Sequence, residues 1–103
     1  MTTTSNTVTI TVQGITYTYS LGLTASPTTL PSSGGTVTLT AQYSSSPSGA
    51  NLSGISVTFT EITTGTTATA TTNSSGVATT TFTLPANDTT TQETYQFQAT
   101  GAL

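Results

Sequence analysis

The chain contains no lysine, no arginine and no histidine. It has no cysteine and no tryptophan either. Without a cation it has nothing to neutralise phosphate, which argues against nucleic acid as a partner. Without Cys or His it lacks the ligands that zinc prefers. A hydroxyl nucleophile needs an activating base, and the usual bases are missing. Disulfides are excluded. No apolar run approaches the ~20 residues that a spanning helix requires, and no signal-peptide core is visible. The expectation is no membrane contact by this segment.

Acidic residues are also few. Glu61, Asp88 and Glu93 are the full set, giving a formal charge of −3. Two carboxylates can serve as an acid–base pair across a cleft. Here Asp88 falls in a predicted loop and Glu93 opens a predicted strand, so both read as solvated polar residues. Calcium asks for several clustered oxygens, which the sequence does not offer. We therefore expect no enzyme, no metal and no cofactor. With carboxylate values near 4, the net charge moves only from −3 to about +1 in strong acid. Such a chain does not charge up and repel itself as pH falls, which suits an acidic extracellular setting.

What is present is hydroxyl. Thr numbers 32 and Ser 13 among 103 residues. Thr is β-branched and fits a pleated, half-buried surface. Leu, Ile, Val and Phe together number 19, a share low enough to suggest disorder if net charge were high. It is not, and the apolar residues are patterned. The chain is expected to fold as a single lean domain.

The pattern is period two. Val8, Ile10 and Val12 share one parity; Ile15, Tyr17, Tyr19, Leu21 and Leu23 share the other. The flip at Gln13-Gly14 requires a bulge, a kink or a change of sheet. Further on, Val37, Leu39, Ala41 and Tyr43 alternate, then Ile55, Val57 and Phe59. "TTATATT" reads as a weak edge strand. Ala78, Phe82 and Leu84 follow the "NSSG" turn, and Tyr95, Phe97 and Ala99 close the chain. About seven to eight short strands without helical periodicity predict an all-β, immunoglobulin-like β-sandwich. Residues 1–13 form a separate N-terminal strand, and residues 14–103 form the sandwich.

The stretches "LGLTASPTTLPSSGGTVTLTAQY", "GANLSGISVTFTEI", "TTNSSGVATTTFTL" and "YQFQATG" resemble, in this order, bacterial Ig-like modules of the invasin and intimin type. The likeness covers roughly residues 21–101, and "NSSGVATTTFTL" is its most characteristic piece. In its uncharged Ser/Thr-rich composition the chain is also similar to head domains of pilins and filament subunits from hot-acid archaea. These resemblances imply a surface-exposed sandwich serving as spacer, adhesin segment or filament subunit, with no catalytic residues. The lack of charge departs from the bacterial modules.

Sheets normally guard their edges with Lys, Pro, bulges or covering segments. Lys is unavailable here, so neighbours, glycans or internal pairing must close them. Thr7–Val12 has two placements: the first strand of its own sandwich, or a strand added to a partner's open edge with Val8, Ile10 and Val12 as subunit contacts. Asn51, Asn73 and Asn87 each open an Asn-x-Ser/Thr triplet in a predicted loop, where an N-linked glycan would project. The functional expectation is an Ig-like subunit of an extracellular, cell-surface filament or pilus, assembling with itself and supporting adhesion. The alternative is a spacer or ligand-binding module of a larger adhesin or surface-layer protein.

Overall fold

A computed structural model describes all 103 residues. Residues 1–17 form an extended tail outside the strands, exposed throughout except for the half-buried Tyr17. The folded body follows as six strands: β1 (Thr18–Ser26), β2 (Gly35–Ser46), β3 (Ser56–Glu61), β4 (Thr66–Thr71), β5 (Val77–Leu84) and β6 (Phe97–Gly101). They make two three-stranded sheets, ordered β1-β2-β5 and β4-β3-β6. Every pairing is antiparallel.

The all-β expectation holds, but the count of seven to eight strands does not. The first opening segment, with Val8, Ile10 and Val12, forms no strand, while the second supplies β1 from Thr18 onward. Alternation belongs to a segment, whereas a strand also needs a neighbour to bond. Residues 1–17 make no backbone hydrogen bond to the body. The extended segment also runs through residue 17, past the 13/14 boundary suggested by the parity flip. Tyr95 lies outside β6, in the segment that leads into it.

The core sits between the two sheets. The inner row of β2, Val37, Leu39, Ala41 and Tyr43, is buried, as are Val57 and Phe59 of β3 and Ala78 and Phe82 of β5. The alternating residues between them, mostly Thr, face outward or are half-buried. The lean apolar content is therefore concentrated on one face of each central strand, which is what a small two-sheet body needs.

The turn between β4 and β5 shows how hydroxyls and amides close the loops. Asn73 Oδ1 accepts from Ser75 N at 2.9 Å and from Val77 N at 3.1 Å. Gly76, at φ 77°, donates to Asn73 O at 3.0 Å. A side chain is strained at that φ and would also press on Leu52.

Candidate functional site

The two sheets meet along both of their long sides. β4 closes against β5 along one side, and β1 approaches β6 along the other. On the second side the inward residues stay half-buried: Leu21, Leu23 and Ala25 of β1, and Phe97, Ala99 and Gly101 of β6. They pack against the buried cluster without being sealed. The outer edges of β1 and β6 have no partner strand in the molecule.

At the end where β1 stops and β6 starts, the flanking loops enclose a cavity of about 590 Å³. Its apolar lining includes Ala25, Leu30, Val37, Leu84 and Phe97, and Tyr95 stands at its polar side. Phe82 and Phe97 meet beside it with ring planes tilted by 59° and centroids 5.1 Å apart. Reasoning from sequence missed this cavity, because Leu30 and Tyr95 come from separate loops that only the fold brings together.

The tail leaves from the opposite end. β1 starts where Thr18 pairs with Ser46 and ends near the cavity at Ala25 and Ser26. Along the tail, Val8, Ile10, Val12 and Ile15 are 73%, 79%, 87% and 64% exposed. Scattered apolar residues on a surface are ordinary. Here Val8, Ile10 and Val12 share one parity of an unpaired, extended segment. The expected contact residues Val8, Ile10 and Val12 thus lie together on the tail, with Ile15 added by its own exposure.

The charges gather at the cavity end. Glu61 closes β3 opposite Phe97, and Asp88 and Glu93 lie in the segment between β5 and β6. Glu61 is buried; its carboxylate accepts from Thr64 N at 3.2 Å and from the Thr64 hydroxyl. The Tyr95 hydroxyl donates to Glu93 Oε2 at 3.0 Å. That hydrogen bond raises the Tyr95 phenol above its ordinary value, with desolvation and the Glu93 and Glu61 charges acting in the same direction. No three acidic side chains converge as a metal cluster would.

The three glycan candidates are split between the ends. Asn51 and Asn73 flank the loops around Thr72, and both are exposed. Their Oδ1 atoms accept from Ser53 N and Ser75 N, and their Nδ2 atoms have no protein partner. Asn87 lines the cavity, and its Nδ2 donates to Thr91 O at 2.8 Å.

The chain matches no family model, no curated protein and no solved structure in these comparisons. No helix is long and apolar enough to cross a membrane. What the arrangement offers chemically is backbone and apolar contact: four sheet edges without an outer strand, a cavity at one end and exposed Val and Ile on the tail.

Proposed function

We propose that this protein is a structural subunit of an extracellular filament or pilus at the cell surface, self-assembling and supporting adhesion. In this reading the body is an Ig-like β-sandwich that lacks one edge strand, and the tail supplies that strand to a neighbour. One observation carries it: the exposed apolar tail and the cavity bordered by β6 lie on the same molecule at opposite ends. A contact between two different patches propagates head to tail whenever the rotation does not close. The hydroxyl-rich, nearly uncharged surface supports the reading further, because it sets up little repulsion between copies. Glycans on the surface Asn residues would supply hydration that ions usually provide.

Electron microscopy of purified protein tests this reading. Long regular fibres are expected, and deletion of residues 1–13 should abolish them while leaving a folded, cooperatively melting body. A deletion variant that no longer melts cooperatively would return Thr7–Val12 to its own sandwich and end the proposal. Tandem copies of the domain in one gene, with no fibres, would favour the spacer or adhesin-module alternative.

A further inference from the structure

We propose, resting on the filament reading above, that the tail completes the sheet of the next copy along β6, antiparallel to it. Val12 lies opposite Phe97, Ile10 opposite Ala99 and Val8 opposite Gly101, and Ile15 enters the cavity.

Direction decides the edge. β1 runs toward the cavity end, since Ala25 lines the cavity, and β6 runs away from it, since Phe97 does. The donor's body sits at the C-terminal end of its tail. If the tail runs toward the cavity end of the acceptor, the donor's tail-bearing end meets the acceptor's cavity end. Two unlike ends are then in contact, and the contact repeats without limit. If the tail runs the other way, two tail-bearing ends face each other and both tails are consumed in a closed pair. The propagating direction is antiparallel to β6 and β4 and parallel to β1 and β5, and of the first two only β6 borders the cavity. Antiparallel pairing is the more stable per residue, and it matches the all-antiparallel sheet that β6 belongs to.

The cavity sets the register. Phe97 is the β6 residue that borders it, so a tail whose alternation breaks just beyond Val12 places Val12 opposite Phe97. Ile10 and Val8 then follow along the edge opposite Ala99 and Gly101, the latter backed by the buried Tyr43 ring. Beyond Phe97 the donor crosses the cavity. A regular strand would turn Ile15 outward there, because it has the opposite parity to Val12. One extra residue at Gln13-Gly14 turns it inward. The parity flip in the sequence thus coincides with the end of β6 and the start of the cavity.

Cysteine cross-linking reads the register directly, because the native chain has no thiol. Thr11, on the tail's outer parity, and Gln98, exposed on the outer side of β6, are directly opposite in this register, as are Thr9 and Thr100. Such pairs meet disulfide geometry. Thr11→Cys with Gln98→Cys, or Thr9→Cys with Thr100→Cys, should give a ladder of covalent oligomers on mild oxidation of fibres. Preferential cross-linking of Thr9→Cys with Gln98→Cys, or of Thr11→Cys with Thr100→Cys, would instead report parallel or shifted pairing and overturn the register. A cross-linked monomer would place the tail against its own β6 and overturn donation altogether. Fibres that cross-link at none of these pairs would reject β6 as acceptor while leaving the filament reading intact; absence of fibres would remove both. Ile15→Asp should lose fibres where Thr16→Asp keeps them, and equal fibre yield from the two would overturn the placement of Ile15. Seventeen extended residues span about 56 Å, so a molecule 97 Å long has a body of about 40 Å. The axial step per subunit should then be about 40 to 55 Å, allowing for residues 13–17 between bodies.

Discussion

The Tyr43 phenol lies against the α-carbon of Gly101, filling the volume that a β-carbon there would occupy. Tyr43 is 2% exposed, and its hydroxyl accepts from Leu103 N at 3.3 Å. This contact ties the last strand, β6, to the centre of the opposite sheet. Gly101→Ala forces the buried ring or the strand to move, a form of overpacking that costs about 1–3 kcal/mol. Urea unfolding should show the loss as a lowered midpoint. Gly22→Ala on β1, where no atom lies within 4 Å of the new methyl, should leave the midpoint nearly unchanged.

Thr72 is the one threonine among the buried residues. Its Oγ1 accepts from Ile55 N at 2.9 Å and donates to Leu52 O. Its backbone accepts from Gly54 N and donates to Ile55 O, both at 2.9 Å. Thr72→Val preserves shape but leaves Ile55 N–H and Leu52 C=O without this partner, a loss of about 1–3 kcal/mol. Thr72→Ser retains the hydroxyl and should lose less. The same pair of substitutions at exposed Thr81 should change thermal midpoint little.

Tyr95 carries the pH dependence. Its phenol is held above the ordinary range by the hydrogen bond to Glu93. The folded state therefore keeps its proton at pH values where the unfolded chain has released it. The resulting stability is fully present below the ordinary phenol range and is lost as pH rises through the elevated value. Ultraviolet titration should show a late step from Tyr95, and Tyr95→Phe should remove that step. Glu93→Gln should bring the late step earlier, because it removes the carboxylate.

Glycan occupancy should differ among the three triplets. Asn51 and Asn73 present Nδ2 without a protein partner, whereas Asn87 uses it on Thr91 O beside the cavity. Peptide mass measurement of native material should find higher occupancy at Asn51 and Asn73 than at Asn87. Unmodified peptides at all three sites would dismiss glycosylation as the source of surface hydration.

The inner rows of β2, β3 and β5 were legible in the sequence because alternation is local: Val37 to Tyr43 show their face without reference to anything else. The weak "TTATATT" segment was legible as an edge for the same reason, having only Ala68 and Ala70 to bury, and it forms β4. The opening alternation was equally clear and misled the strand count. Val8, Ile10 and Val12 have the pattern of a strand but no partner within the molecule. Leu30 gave no local signal and Tyr95 gave one for the last strand, yet each sits outside the strands and acquires its meaning from the cavity they share.

Residue order alone determined that this protein is all-β, wetted by hydroxyls, almost without charge and unable to guard an edge with lysine. Those properties follow from side-chain chemistry and two-residue periodicity, which need no knowledge of distant segments. Only the tertiary structure decided which edges stay open, which of 32 threonines is buried, and that tail and cavity lie at opposite ends. Strand order and sheet closure arise from contacts between residues far apart in the chain, and period-two alternation carries no information about which strand will be the neighbour.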